Sequence, residues 1–161
     1  MKRDERTSAD LVAPDGRFSW VQIAVVGVVL GVLAVLVIPV IRRVQLDVQA
    51  TKVAINLQRF ANDLRASRLD TGSWPVSSMP GVPPTAVTDR LCLRAWRNGI
   101  PGRGSYAWGR DVNGVRASLA IVGGQRNDRL FAEIDRIIDD GNTGTGRFRW
   151  MNDRYVYVLK E

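Results

Sequence analysis

The sequence has no histidine and a single cysteine, Cys92, in 161 residues. Without histidine there is no Ser-His-Asp or Cys-His catalysis, and no imidazole to hold zinc or haem. With one cysteine there is no disulfide within the chain and no thiolate cluster for zinc or an iron–sulfur centre. Acidic side chains are also the minority, 16 against 23 Lys and Arg. They are scattered, with no pair placed for general acid–base work. The expectation is therefore a protein that is not an enzyme and carries no cofactor. Cys92 is read as a small, buried, apolar residue.

Charge is equally uneven along the chain. Residues 20–41 read WVQIAVVGVVLGVLAVLVIPVI, with no charged side chain and one polar one, Gln22. As a helix this run spans roughly 33 Å at about 1.5 Å per residue, enough to cross a hydrocarbon core of about 30 Å. A core helix of a small domain is seldom apolar on every face. A cleaved secretory signal would have a shorter apolar stretch and a small-residue cleavage site after it, whereas Arg42 and Arg43 follow Ile41 directly. The run is predicted to span a membrane. Its orientation is not set by charge. Lys2, Arg3, Arg6 and Arg17 on one side balance Arg42, Arg43, Lys52 and Arg59 on the other, and only the Lys/Arg bias counts.

The order of residues within this region carries more. Phe18-Ser19-Trp20-Val21-Gln22-Ile23 resembles the start of type IV pilins and type II secretion pseudopilins, in which Gly precedes Phe-Thr-Leu-x-Glu-Leu and an apolar run. Residues 31–39, GVLAVLVIP, resemble the same family's Gly-Ile-Leu-Ala-Ala-x-x-x-Pro. Residues 50–75 resemble its amphipathic helix and aromatic-Pro ending. The resemblance is detailed over residues 16–75 and is one of composition and layout beyond them. It implies a leader, residues 1–17, kept in the cytoplasm; a membrane-spanning half-helix, 18–41; an amphipathic half, 42–74; and a globular portion, 75–161, outside the inner membrane. The partners it implies are the lipid bilayer, other pilin-like subunits and a prepilin peptidase.

Two departures from the pattern matter. The family is cleaved after a Gly that directly precedes Phe, but here Arg17 lies between Gly16 and Phe18, so either Gly16 or Arg17 would occupy the cleavage position. The family's Glu, whose carboxylate pairs with a neighbouring subunit's N-terminal ammonium in the membrane, is replaced by Gln22. Gln makes hydrogen bonds but carries no charge, which points to a minor or divergent subunit. Gly27 and Gly31 form a GxxxG, readable as a helix-packing site or as chance in a Gly/Val/Leu-rich run. Pro39 lacks a backbone donor and is expected to kink or locally melt the helix.

Beyond the apolar run, Leu46, Ala50, Val53, Leu57, Phe60 and Leu64 recur at 4-3-4-3-4 spacing, one apolar stripe of a helix over residues 44–69. The stripe is read as packing on the chain's own sheet, with a coiled-coil partner as the alternative. Gly72 and Trp74-Pro75 end the helix. The four prolines of residues 75–90 mark a linker or a wrapped loop. Strands are predicted over 104–110 and 115–122, and a helix over 129–138 capped by Asn127-Asp128. A terminal hairpin is predicted over 147–159, with Tyr155 and Tyr157 on one face and Val156 and Val158 on the other. The sum is an α+β arrangement, a long N-terminal helix packed on a small C-terminal antiparallel sheet, and the resemblance implies the same, pilin-like fold.

Two further tracts invite ligands. Asp139-Asp140-Gly141-Asn142 and the Gly/Thr-rich residues after it have donors that suit Ca²⁺. The EF-hand spacing fails, since the third position from Asp135 is Ile137, and the preferred reading is a tight turn rich in Asx and Gly. Arg94, Trp96, Arg97, Arg103, Tyr106, Trp108 and Arg110 interleave basic and aromatic side chains as nucleic-acid binders do. The preferred reading is again plainer, a solvated Arg-rich surface around core aromatics.

Overall fold

The computed structural model describes residues 20–112 and 114–160. Its elements are α1 (Trp20–Thr71), a short 3₁₀ turn (Thr85–Val87), α2 (Leu93–Asn98), β1 (Ser105–Val112), β2 (Val115–Val122), α3 (Arg129–Ile138), β3 (Phe148–Met151) and β4 (Arg154–Lys160). The chain divides into two units, one ending at Ile41 and one beginning at Arg42.

In the second unit the stripe of α1 becomes the core. Ala50, Val53, Ala54, Leu57, Phe60, Ala61 and Leu64 are buried, while Leu46 at the start of the stripe is half-buried. The packing on the chain's own sheet expected from the spacing is what occurs. Phe60 is the centre of this contact. Its ring meets Trp96 at 5.0 Å and Tyr106 at 5.2 Å, both edge-on, the geometry that aromatic quadrupoles favour. The helix ends where expected. Gly72 has φ +75 and donates its N–H to the Arg68 carbonyl at 2.8 Å, a left-handed cap that glycine adopts without strain. Trp74 then packs on Trp108, whose indole N–H donates to the Pro75 carbonyl at 3.0 Å.

The four strands are antiparallel in the order β1-β2-β4-β3. Alternation separates the two faces. Tyr106, Trp108, Leu119, Ile121, Tyr155 and Tyr157 join the core with α1 and α3. Ala107, Val115, Ala120, Val156 and Val158 form a smaller cluster on the other face, as the Tyr/Val alternation of the last strand predicts. The β3–β4 connection turns through Asn152 and Asp153, both at positive φ (49 and 58). Asx residues tolerate that conformation in a two-residue hairpin. Asp128 caps α3, its Oδ1 accepting from the Leu130 N–H at 3.0 Å, and Phe131 on that helix stacks on Tyr155 at 4.0 Å.

The Pro-rich segment is a wrapped loop, not a linker. The Ser78 N–H donates to the Trp108 carbonyl at 2.9 Å and the Gly81 N–H to the Tyr106 carbonyl at 2.8 Å, so the loop runs beside β1. At the opposite edge, the Trp150 N–H of β3 donates to the Thr143 carbonyl at 2.6 Å.

Sequence reasoning missed α2. Its start corrects the reading of Cys92, which is exposed. Cys92 occupies the position before the first turn of α2, and the buried face of that short helix is taken by Trp96 instead.

Candidate functional site

The candidate assembly residues lie on the apolar part of α1. Every side chain from Trp20 to Ile41 is exposed, among them Trp20, Val28 and Leu36 at 86, 67 and 63 %. The backbone of this stretch is helical, so its polar groups are largely paired within the helix, while its apolar side chains are left exposed. That combination suits lipid or another helix. Length and composition make it compatible with a membrane span.

Gly27 and Gly31 sit one turn apart with open space around them, as a Cβ on either would meet nothing within 4 Å. Ala24 and Ala34 extend the same 3-4-3 row. This row of small side chains lets a second helix approach closely. Gln22 is exposed in the first turn of the described helix. Pro39 lies inside α1, and the helix continues through it, so the local melting expected there does not occur. Pro39 still lacks the N–H that would close one helical hydrogen bond. The processing residues Gly16, Arg17 and Phe18 lie outside the described residues.

The acidic tract folds as the turn that was preferred. The Asp140 Oδ1 accepts from the Asn142 N–H at 2.8 Å, and the Asn142 Oδ1 from the Gly144 N–H at 3.1 Å. These are two successive Asx turns. Asp139 in turn accepts from the Arg147 N–H. What spacing did not reveal is that Asp135, in the last turn of α3, joins this tract. Carboxylate oxygens of Asp135, Asp139 and Asp140 lie within 4.8 Å of one another, and Asp135 is fully buried. Burial, then the charges of Asp140 and Asp139, push its carboxyl from 3.8 up to about 6. A hydrogen bond with Asp140 acts the same way, and the Gly141 N–H opposes it. A proton on Asp135, or a cation shared by the three carboxylates, relieves the repulsion.

The basic-aromatic tract separates into core and surface. Trp96, Tyr106 and Trp108 are 0–1 % exposed, so none offers a ring face on which a base could stack. Arg103 pairs with Asp128, and Arg110 donates to the Trp74 carbonyl at 3.0 Å. Both therefore serve the fold, and Arg94 and Arg97 remain exposed on α2.

No family model, curated protein or solved structure matches the chain. The described residues from Trp20 to Ile41 present an exposed apolar helix surface, compatible with a membrane span.

Proposed function

We propose that this chain is a single-pass inner-membrane subunit of the type IV pilin and type II secretion pseudopilin kind. On this reading residues 1–17 lie in the cytoplasm, 18–41 cross the membrane, and the α+β unit stands outside. The subunit assembles with others of its kind by helix packing, and no chemical reaction is its task. The observation that carries the reading is the first stretch of α1, helical, apolar and exposed on every face. The intervals between Phe18, Gly31 and Pro39 support it, as does a long helix whose second half seats on an antiparallel sheet. Gly27 and Gly31 are the contact for a neighbouring helix. Gln22 supplies a hydrogen bond in place of an ion pair, a weaker axial register, as fits a minor or divergent subunit.

A second reading rests on Arg17. Its insertion between Gly16 and Phe18 favours a chain that is never cleaved and serves as a tethered binding module for a protein or a nucleic acid. Intact-mass and N-terminal analysis of protein extracted from membranes separates the two. A mature chain beginning at Arg17 or Phe18 supports processing and assembly. A chain retaining Met1 or Lys2 overturns that and favours the tether.

A further inference from the structure

A cavity of about 470 Å³ opens between α1, α2 and the start of β1. Its floor is apolar and fixed. Val53, Ile100 and Tyr106 are buried, and Ala95 half-buried. Its rim is polar and exposed, with Lys52 and Gln49 from α1 facing Arg94 and Asn98 from α2. Among the described residues no carboxylate lines it, so the two cations are not neutralised from within the cavity.

The wall is also held in place. The loop from Ile100 to Gly104 closes on itself, the Ile100 N–H donating to the Gly104 carbonyl at 2.8 Å and the Gly104 N–H to the Ile100 carbonyl at 3.1 Å. Gly99 at φ +57 could not carry a side chain there, because a Cβ would come within 2.5 Å of the Gly104 carbonyl oxygen. The Arg103–Asp128 pair ties the loop to the cap of α3. Tyr106, whose ring is part of the core, lines the cavity, and its hydroxyl is its one polar side-chain atom. The hydroxyl is buried and makes no hydrogen bond of ordinary geometry, and Asn56, another lining residue, is the polar side chain that acts on it. Burial pushes this phenol up to about 12, which keeps it an O–H donor.

We propose that this cavity binds a small amphipathic anion, an aromatic or short apolar body bearing a carboxylate. The body fills the floor over Val53, Ala95 and Ile100, and Lys52 and Arg94 take the carboxylate at the rim. The size falls within the range of small-molecule sites, and an apolar floor with a few convergent polar groups is their usual make-up. Guanidinium and ammonium groups recognise carboxylates by charge-assisted hydrogen bonds.

Cys92 lines the same cavity, is exposed, and is the chain's one thiol, so it reports occupancy. The experiment uses the full chain in lipid nanodiscs. The Cys92 thiolate attacks the disulfide of 5,5′-dithiobis(2-nitrobenzoate). This forms a mixed disulfide and releases one 2-nitro-5-thiobenzoate, which is read by absorbance. The expected result is a rate that saturates with this dianionic aromatic reagent and is slowed by 2-nitrobenzoate, which cannot react. Inorganic phosphate at equal ionic strength gives no such protection. Lys52→Gln weakens protection by 2-nitrobenzoate about tenfold, the loss of one charge-assisted hydrogen bond. The same variant keeps the far-UV circular dichroism of the parent chain and is still titrated by neutral 2,2′-dithiodipyridine to one thiol per chain, which shows that the fold and the thiol are intact. A rate linear in reagent overturns the proposal. So does phosphate protecting as well as 2-nitrobenzoate, or unchanged protection in Lys52→Gln.

Discussion

Asp135 shows what a single side chain costs this fold. A carboxyl raised from 3.8 to about 6 is protonated in both the folded and the unfolded chain below pH 4, so it takes no stability there. Between pH 4 and 6 the unfolded chain ionises first, and above pH 6 the penalty is complete, on the order of 3 kcal/mol. Stability should therefore fall as pH rises through this window. Asp135→Asn should remove that slope, with little change at pH 4 and a gain at pH 7. Urea unfolding followed by tryptophan fluorescence at both pH values checks it, and an unchanged slope in the variant assigns the pH dependence to other groups. The residues of the 139–146 turn could be read in sequence because Asx and Gly act locally. The arrival of Asp135 could not, because it depends on α3 ending at Ile138 and turning one carboxylate inward. Cys92 was misread for a related reason. Its burial depends on which side chain of a short helix faces the core, and Trp96 fills that place.

At the level of elements, α1 carries the fold of the second unit through one face only. Phe60→Ala should cost about 3–5 kcal/mol, as large aromatic truncations in cores do, because it empties the space between Trp96 and Tyr106. Ile55→Ala, on the exposed side of the same turns, should change stability by no more than about 0.5 kcal/mol. Chemical denaturation of the two variants side by side tests the asymmetry. Comparable losses would mean that the outer face of α1 is covered in the protein as isolated. The stripe, the cap at Asp128 and the hairpins were legible because each is written in a local pattern, a 3-4 repeat, a capping side chain or a period of two. The helix α2 was not, because its six residues, LRAWRN, are too few to establish a helical period. Their Arg and Trp instead drew the eye as a basic-aromatic alternation. The cavity was invisible for the same reason, since α2 and the residues directly flanking it form much of its wall.

For the molecule as a whole, the membrane residence proposed above rests on residues 20–41, the stretch compatible with a span. Leu33→Arg places a charge near the middle of that stretch and should disfavour insertion by roughly 2.5–3.5 kcal/mol. Carbonate extraction of cell membranes should then move the variant into the soluble or aggregated fractions while the parent chain stays with lipid. Retention of the variant would show that some other part of the protein holds it there. Subunits concentrated on a membrane surface meet one another far more often than they would in free solution. A four-stranded sheet with bare margins would be dangerous in such a crowd, because unpaired backbone invites strand-to-strand templating. Here the Ser78–Gly81 segment occupies one margin and Thr143 caps the other. On the proposed reading, neighbours packed side by side would find less unpaired backbone at either margin on which to seed a fibril of the wrong kind.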